Sequence, residues 1–315
     1  MLKSFDIVIV NWNSGSQLKE CIDSIQKADK SQCSLEKIIV VDNASSDNSI
    51  ALLSQNVQNL KIIQNDENLG FGKACNQGAF ESKSEFILFL NPDMLVYETT
   101  FLNLFEYIKM NAKAEEAIYG VQLLDEEKNI QKSCARFPTL WSFTVRSLGL
   151  NKLNSKVFKS YTMEDWKHEN TQNVNQVIGA FFMVKREIFE KLNGFDERYF
   201  VYYEELDFSK RVHALGYKTL YVTESQAYHK GGGTSEQVKA KRLFYNLRSR
   251  MIYAFKHFGV LQGFVTLFLT LFIEPTTRVV FLLLKGKFSE VFESFRGFFM
   301  LYKDIFNIID LGLKK

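Results

Sequence analysis

The sequence predicts an α/β protein with a mixed, mostly parallel central sheet, followed by a C-terminal helical tail. Short apolar runs end in polar loops, helix-like segments separate these runs, and the composition changes near residue 240. A strand, a polar loop, a helix and a second strand form the βαβ unit, whose right-handed crossover makes its strands parallel. We therefore predict one α/β domain at residues 1–240 and a helical, basic and aromatic tail at residues 241–315.

The first three strands are predicted from short apolar runs at residues 6–10, 37–41 and 61–64. Their length and their content of Val and Ile are typical of buried strands. Residues 17–26 and 48–55 repeat apolar side chains on one helical face, which predicts a helix for each segment.

Residues 87–90 form a fourth apolar run, which stops at Asn91-Pro92-Asp93. In open α/β sheets, ligands bind beyond the carboxyl ends of the parallel strands. We therefore expect Asn11, Asp42 and Asp93, which follow three of the predicted strands, to meet at one cleft. A simple turn is the alternative for Asn91-Pro92-Asp93, since all three residue types favour turns.

A glycine-bearing loop at residues 65–72 precedes a helix that is predicted at residues 73–82. Free amide groups at a helix N-terminus can bind phosphate. The loop lacks the Gly-x-Gly-x-x-Gly spacing, so the usual fingerprint of a nicotinamide or flavin enzyme is missing.

A second acidic group, Glu204, Glu205 and Asp207, follows the aromatic residues 199–203. Three carboxylates within four residues usually form a solvated face. The aromatic neighbours favour partial burial instead, and burial raises a carboxyl pKa toward values that suit a general base.

Seven motifs in a fixed order resemble the inverting family 2 glycosyltransferases, and especially their bacterial rhamnosyltransferase-like branch. The motifs lie at residues 7–13, 41–47, 68–71 with 76–78, 88–93, 179–186, 194–197 and 203–208, followed by Arg211, Gly216-Tyr217 and residues 229–235. The resemblance implies a GT-A-like nucleotide-binding fold. It also implies transfer of a sugar, with inversion, from a nucleotide-sugar donor to a cell-surface polysaccharide or a lipid-linked saccharide. The expected donor is dTDP-rhamnose.

The resemblance implies a role for several of the residues singled out above. Asp42 would accept a hydrogen bond from the nucleobase or ribose, and Trp12 would offer a stacking surface. Asp93 would lie beside the diphosphate and its divalent cation, Mg²⁺ or Mn²⁺, and His229 would complete this metal site. A structural role is the alternative for His229, as for any lone histidine. The other positions assigned to the nucleotide-sugar site are Asn11, Asn13, Asn43, Asn68, Gly70, Lys73, Asn76 and Asn91.

The chain departs from the family pattern at two positions. Glu205 aligns with the general base, which is usually Asp, and Asp207 aligns with a residue that supports it. The longer side chain at Glu205 keeps Glu204 as a second candidate for the base. Asn91 stands where many relatives carry Asp, and a single carboxylate lowers the expected metal affinity.

Two other functions compete with this interpretation. The first is the same fold with a UDP-hexose donor. The second is a catalytically silent subunit that recruits a glycosylation complex to a membrane. Intact Asp42, Asp93 and Glu205 argue against silence.

The tail differs in composition from the rest of the chain. Residues 239–315 hold thirteen Lys and Arg but five Asp and Glu, a net charge of +8 within a total of +3, and thirteen of the 29 Phe. Basic and aromatic residues together suit nucleic acid or a membrane surface. We expect a membrane surface and no nucleic acid, because apolar side chains keep one helical face. Packing on the catalytic domain or on a second copy of the chain is the alternative. The predicted face comprises Phe288, Val291, Phe292, Phe295, Phe298, Phe299, Tyr302, Ile305, Phe306 and Ile309.

Residues 260–284 are strongly apolar but contain Glu274, Pro275 and Arg278. No uninterrupted stretch reaches the ~20 residues that a spanning helix needs, which predicts an interfacial segment or paired apolar helices. The four cysteines lack metal-binding spacing, and the first strand begins where a signal peptide would lie. We therefore expect a peripheral protein at the cytoplasmic face of the membrane.

Residues 123–175 are the least regular region of the sequence. Arg136-Phe137-Pro138, Trp141, Trp166 and His168 suit an acceptor-site loop, in which aromatic rings stack on sugars. A surface excursion without a role is the equal alternative.

Overall fold

The structure is a computed structural model, and it describes residues 2–53, 57–153, 157–231 and 238–314. The chain divides into two compact units. The first comprises Met1–Arg136, Lys167–Glu197 and Glu204–Thr234, and the second comprises Phe137–Trp166, Arg198–Tyr203 and Ser235–Lys315. This division does not test whether residues 1–240 fold alone, so the predicted domain boundary stays a prediction.

All strands that the structure describes lie in the first unit. They are β1 (Lys3–Asn11), β2 (Cys33–Asp42), β3 (Leu60–Gln64), β4 (Phe86–Leu90), β5 (Met94–Val96), β6 (Glu116–Leu124), β7 (Cys134–Ala135), β8 (Gln172–Val174), β9 (Gln176–Val177), β10 (Phe181–Lys185) and β11 (Lys218–His229). The four predicted strands correspond to β1–β4. Strands β3 and β4 each begin one residue before the predicted run, and β1 and β2 extend the predicted runs at both ends.

Nine of the described strands form one sheet in the order β3-β2-β1-β4-β10-β6-β11-β5, with β8 paired to β11. Strands β1, β2, β3, β4, β6 and β11 run in one direction, and the others run against them. This confirms the predicted mixed, mostly parallel sheet. The carboxyl ends of β1, β2 and β4, which are adjacent in the sheet, therefore face the same edge.

The helices of the first unit pack against this sheet. They are α1 (Gln17–Lys27), α2 (Phe71–Ala79), α3 (Thr100–Asn111), α6 (Arg186–Lys191) and α7 (Glu204–Ala214). Helix α2 approaches β1 so closely that a Cβ atom on Gly78 would lie 2.4 Å from Val8 Cγ1. This contact explains why a glycine follows Gln77 in the sequence motif.

The predicted helix at residues 48–55 is wrong for residues 48–53, which form turns, and its last two residues lie outside the described part of the chain. The side chain of Asp47 accepts hydrogen bonds from both the backbone N–H and the hydroxyl of Ser49. Such local side-chain bonds compete with helical hydrogen bonds. Ile50 and Leu53 still pack on the core, which accounts for the apolar pattern.

The second unit is helical within the described residues. Its helices are α4 (Leu140–Ser147), α5 (Leu150–Leu153), α8 (Lys239–Phe258), α9 (Val260–Phe268), α10 (Glu274–Leu284), α11 (Phe288–Lys303) and α12 (Ile305–Leu313). Helix α8 contacts α9, α11 and α12. It carries Arg250, which is fully buried and forms an ion pair with buried Glu274.

A π-helical turn at Leu269–Ile273 joins α9 to α10, so the backbone is helical from Val260 to Leu284. The expected interruption at Pro275 is not observed, because Pro275 lies in the first turn of α10, where a missing N–H costs little. By length and composition this helix could cross a bilayer, and 28% of its most apolar window is buried. A buried core helix passes the same test, so the helix alone does not assign a membrane span.

The predicted apolar face of the tail is largely exposed. Phe288, Phe292, Phe295, Phe299, Tyr302 and Phe306 are exposed, and Val291, Ile305 and Ile309 are half-buried. Phe298 is the exception, since it is buried inside the second unit. The prediction that Phe298 belongs to the exposed face is therefore wrong, because Phe298 lies at the edge of the apolar stripe and points into the second unit.

Candidate functional site

The end of β1 and the end of β2 meet through Asn11 and Asp42. Asn11 is fully buried, and its amide donates to Asp42 Oδ1 at 2.7 Å and to Ser49 Oγ at 2.8 Å. Both donor hydrogens are therefore used inside the protein. Asn11 orients the Asp42 carboxylate and does not itself face a ligand, which refines the predicted role of Asn11 as a border of the pocket.

The loop after β1 is held to the loop after β2 by Asn13. This residue has a positive φ of 51°, and its side-chain oxygen accepts from the backbone N–H of Ser46 at 2.7 Å and of Asp47 at 3.2 Å. Its own N–H donates to Ser45 Oγ at 3.0 Å. Trp12, between these two anchored asparagines, is half-buried. The anchors fix the backbone on both sides of its ring.

Asn43 fixes the glycine-bearing loop before α2. Its amide donates to Asn68 Oδ1 at 2.9 Å and to the Gly70 carbonyl at 3.2 Å, while its oxygen accepts from the Leu69 N–H at 3.0 Å. Gly70 has a φ of 87° at the N-cap of α2, and Lys73 is exposed in the first turn. The loop is thus a rigid extension of the sheet edge.

Asn76 is engaged in structure and not in the cleft. Its side-chain oxygen accepts from the Phe195 N–H at 2.8 Å, and its amide donates to the Phe195 carbonyl at 2.9 Å and to Glu197 at 3.1 Å. A Cβ atom on Gly194, which has a φ of 72°, would lie 2.4 Å from the same Asn76 oxygen. Two distant motifs are therefore joined by one buried amide.

Asp93 and His229 come together because β5 pairs antiparallel with the end of β11. The distance from Asp93 Oδ2 to His229 Nε2 is 3.7 Å, and both side chains are mostly buried. A cavity of about 350 Å³ beside Asp93 is lined by further charged residues, including Glu20, Asp125 and Lys230. The two residues of the predicted metal pair are thus neighbours, and Asp93 also lines the cavity.

Gln131 fixes the tautomer of His229. Its Nε2 donates to the His229 carbonyl at 2.6 Å, and its Oε1 lies 2.8 Å from His229 Nδ1. A carbonyl only accepts, so the amide nitrogen must face it and the amide oxygen must face Nδ1. Nδ1 therefore carries the proton, and the lone pair of Nε2 faces Asp93. Burial lowers the pKa of His229, while Asp93 opposes this effect, so the ring is neutral at neutral pH.

This pair fits a divalent cation. Two donor atoms at about 2.1 Å from one ion lie at most about 4.2 Å apart, and the Asp93 to His229 distance of 3.7 Å falls within that limit. A carboxylate oxygen and a nitrogen lone pair face each other with no proton between them. In the described residues no group of three or more His, Cys, Asp or Glu side chains could hold a metal ion. Asn91, on the same loop as Asp93, is half-buried.

Glu205 lies in the first turn of α7 and is half-buried. Gln176 donates to its Oε1 at 3.2 Å, and its Oε2 is buried without a hydrogen-bond partner among the described residues. Burial raises the pKa of Glu205, and backbone N–H groups, including that of Gly179, oppose the shift only in part. A buried carboxylate oxygen with no donor is suited to accept a proton.

Glu204 and Asp207 face the interior of the first unit, because residues three apart share one side of a helix. Asp207 is fully buried, and Arg211 Nε donates to its Oδ2 at 2.7 Å. The same guanidinium donates to the carbonyls of Leu192 and Gly194, both at 2.9 Å. Asp207 therefore anchors α7 through Arg211.

Of the residues singled out in the irregular region, Arg136 and His168 lie in the first unit, and Phe137, Trp141 and Trp166 lie in the second. His168 is fully buried, and its Nε2 accepts from the Cys134 N–H at 3.3 Å. Its role is structural, so the expected acceptor-loop role is wrong for this residue. In the second unit, Trp141 is exposed by 63%.

The family model described as glycosyl transferase family 2 matches residues 6–193. This chain belongs to glycosyltransferase family 2. The match covers more than half of the sequence and includes β1, β2 and β4, whose ends carry Asn11, Asp42 and Asp93. The enzyme is therefore a nucleotide-sugar-dependent glycosyltransferase.

Two curated relatives are similar over most of the glycosyltransferase. Rhamnosyltransferase WbbL of Escherichia coli (strain K12) is 27% identical over 258 residues, which is 78% of this chain and 91% of the relative. The N-acetylglucosaminyl-diphospho-decaprenol L-rhamnosyltransferase of Mycobacterium tuberculosis is 23% identical over 266 residues, 80% of this chain and 85% of the relative.

The fold is shared with solved glycosyltransferases. The crystal structure of GalNAc-T7 with UDP, GalNAc and Mn²⁺ superposes with a TM-score of 0.56 at 18% identity. The alignment covers 80% of this chain and 48% of GalNAc-T7. This likeness shows the fold alone, and the expected GT-A-like fold is confirmed.

Sequence reasoning missed two residues of the glycosyltransferase that matter to the candidate site. Gln131 lies in the stretch that the sequence marked as irregular and Gln176 directly follows it, and neither belongs to a recognised motif. The role of each glutamine depends on the side chain that it contacts, which is Glu205 for Gln176 and His229 for Gln131. A residue pattern within one segment carries no such signal.

Proposed function

We propose that this glycosyltransferase moves L-rhamnose from dTDP-rhamnose to a lipid-linked saccharide or a growing cell-surface polysaccharide, with inversion. The geometry of Glu205 carries the proposal, because inversion in a single displacement requires one base and no protein nucleophile. The two rhamnosyltransferase relatives support the choice of sugar.

The reaction is a single displacement at the anomeric carbon. The acceptor hydroxyl oxygen forms a bond to that carbon while the bond to the donor diphosphate breaks and the diphosphate leaves with the electron pair. The hydroxyl proton passes to Glu205 Oε2, which accepts no hydrogen bond from a described residue. Gln176 holds the other oxygen of Glu205 and so keeps the base in one rotamer.

Asp42 would accept from the nucleobase or ribose of the donor, since Asn11 holds its carboxylate at the sheet edge. Trp12 and the loop of Asn68, Gly70 and Lys73 would border the same pocket. Asn13, Asn43 and Asn76 support this pocket through the hydrogen bonds described above and contribute little direct contact.

Asp93 and His229 would hold a divalent cation, Mg²⁺ or Mn²⁺, with Asn91 beside them. When bound, the cation neutralises charge on the departing diphosphate. Two protein donors leave most of the coordination sphere to phosphate oxygens and water, which is usual for Mg²⁺ sites at phosphates.

The tail would bind the cytoplasmic face of a membrane as a peripheral element. The exposed phenylalanines of α11 and the net charge of +8 in residues 239–315 support this location. Association of two copies through the same face is the alternative. The predicted boundary between domains near residue 240 belongs to this proposal.

A donor panel tests the proposal. The full chain is heated with dTDP-rhamnose, UDP-glucose or UDP-N-acetylglucosamine in Mn²⁺, and a donor at 100 times its Kd adds about 2.7 kcal/mol to the free energy of unfolding. We expect this stabilisation with dTDP-rhamnose. Stabilisation by a UDP-sugar alone would establish the UDP-hexose alternative, and no response to any donor would establish a silent binding subunit.

A further inference from the structure

The second unit contains a cavity of about 570 Å³ between α8, α10 and α11. Its volume is within the range of small-molecule sites, about 300–1,000 Å³. Five cationic side chains and two carboxylates line it. They are Arg146, Lys239, Arg242, Arg278 and Lys287, with Glu290 and Glu293.

In the described residues, neither carboxylate of this lining forms a direct ion pair with an arginine of the lining. Lys239 and Lys287 both bind Glu290 Oε1, at 3.2 Å and 3.3 Å. Glu293 pairs with Arg296, at 3.2 Å, which does not line the cavity. Both carboxylates are therefore paired with other cations, and the arginines leave the lining with an excess of positive charge.

Arg242 and Arg278 make no hydrogen bond or ion pair with any residue in the described part of the chain. Arg278 is half-buried, so water replaces the missing partners only in part. Burial lowers the pKa of Arg278, with Glu274 opposing and with Arg146 and Arg250 adding to the burial effect. Like charges held together in this way favour an anion between them.

Guanidinium forks match phosphate oxygens, because each offers parallel N–H groups in a fixed plane. Two or three arginines around one cavity suit an anion with more than one phosphate. Tyr202 also lines the cavity, and in the sequence it comes three residues before Glu205.

Helix α11 joins this charged cavity to an apolar surface. Glu290, Glu293 and Ser294 of α11 line the cavity, while Phe288 and Phe292 of the same helix are exposed by 70% and 65%. A ligand that is anionic at one end and a hydrocarbon at the other matches both faces. Free phosphate matches only one.

We propose that this cavity binds the diphosphate of a lipid-linked acceptor, with Arg242 and Arg278 as its principal ligands. The hydrocarbon chain would then lie along the exposed phenylalanines of α11. This inference rests on the proposed function, since it names the acceptor class and the place where the enzyme holds it.

Binding of farnesyl diphosphate to the full chain tests the inference directly. Titration calorimetry in EDTA keeps metal-dependent diphosphate binding at the donor site out of the signal. We expect Arg242→Ala and Arg278→Gln each to weaken binding about tenfold or more. Lys303→Ala, which removes the same charge from α11 outside the cavity lining, should leave the Kd unchanged.

Three results would overturn the inference. The first is equal affinity of wild type and Arg242→Ala, a change at an exposed side chain that leaves the fold intact. The second is equal affinity for farnesol, which would show that the hydrocarbon alone binds. The third is full displacement of farnesyl diphosphate by phosphatidylglycerol vesicles, which would make the cavity a general site for phospholipid headgroups.

The donor panel separates this inference from the proposed function. Stabilisation by a nucleotide sugar without arginine-dependent binding of farnesyl diphosphate would refute the cavity and keep the transferase. Arginine-dependent binding without stabilisation by any donor would keep the cavity and refute the proposed transfer.

Discussion

The two compact units of the glycosyltransferase place their charged and aromatic residues in opposite ways. In the first unit most aromatic rings are buried, as for Phe5 and Phe86, although Phe80 is exposed, and polar side chains gather at the sheet edge. In the second unit Phe288 and Phe306 are exposed by 70% and 84%, while Arg250 is fully buried. Buried aromatic rings are usual for a protein surrounded by water, whereas large exposed apolar side chains combined with a buried arginine are not. The second unit is therefore suited to an apolar neighbour. Substitutions in the first unit should mainly affect catalysis, and substitutions in the second unit should mainly affect stability and membrane binding.

The largest expected effect is on chemistry in the first unit. Glu205→Gln should lower the transfer rate by about 10²- to 10⁴-fold, since removal of a general base has this effect, while donor binding persists. The rate and the donor-induced thermal shift are measured on the same protein. Glu204→Gln is the matched control. Normal transfer in Glu205→Gln with an inactive Glu204→Gln would move the base to Glu204.

The next effect is on stability in the second unit. Arg250→Ala should lower the free energy of unfolding by about 3–5 kcal/mol, because it leaves the Glu274 carboxylate buried and unpaired. The double variant Arg250→Met with Glu274→Leu should recover most of the loss. Denaturant unfolding of wild type and both variants measures these differences. Wild-type stability of Arg250→Ala would contradict a structural role for the pair.

A third change probes the exposed face of α11. Replacing Phe288, Phe292 and Phe295 by Ser should weaken binding to anionic vesicles by about 2–4 kcal/mol in total, because full burial of one Phe contributes about 1.5–3 kcal/mol and an interfacial helix buries each ring only in part. Flotation measures the bound fraction. Ser at Leu2, Phe80 and Met110, which are exposed in the first unit, is the matched control.

If wild type remains unbound on anionic vesicles and the triple variant changes the oligomeric state, the face is a subunit interface. Point changes are preferable to truncation after residue 259. Helices α9, α11 and α12 contact α8, so their removal would expose the core of the second unit.

A smaller effect is expected at Gln131. Gln131→Leu should lower the affinity for Mn²⁺ about 10- to 100-fold, because loss of a residue that orients a metal ligand has this cost. The stabilisation of the protein by Mn²⁺ in the presence of UDP measures it. Asp93→Asn should remove the response. Unchanged Mn²⁺ binding in Asp93→Asn would refute the metal site.

The smallest effect is a shift in pH dependence. Since burial raises the pKa of Glu205 above 4.5, kcat/KM should fall as the pH drops through this raised value, and the acid limb should lie above pH 4.5. The same shift makes the folded state less stable as the pH rises from 4.5 through the raised pKa. An acid limb at or below pH 4.5 would contradict the assignment.

The sequence predicted β1–β4 and their polar ends well, because buried parallel strands are continuous apolar runs and the crossover rule makes them parallel. It placed Asp42 and Asp93 in the candidate site for the same reason, whereas Glu205 and His229 were placed there by the resemblance to family 2 glycosyltransferases. It did not predict that the side-chain amides of Asn11 and Asn76 form hydrogen bonds inside the protein, nor that Gln131 faces His229. Those facts depend on tertiary distances of about 3 Å, which no local pattern contains.

The helical tail shows the opposite balance. Its phenylalanine face was predicted from periodicity, but the inward position of Phe298 and the unbroken helix through Pro275 were not. The period of 3.6 residues identifies a face and not its edges. A π-helical turn that precedes a proline depends on tertiary packing, which the amino-acid composition does not indicate.

The pairing of β5 with β11 has a consequence for how the enzyme acquires its activity. His229 pairs with Met94 and Tyr228 with Leu95 in that short ladder. Since neighbouring side chains on a strand point to opposite faces, a slip of one residue would present a phenol ring where the imidazole belongs. A protein misassembled in this way would lack the histidine opposite Asp93. Recovery of metal binding after refolding would then report on strand alignment, which spectroscopy of overall secondary structure cannot see.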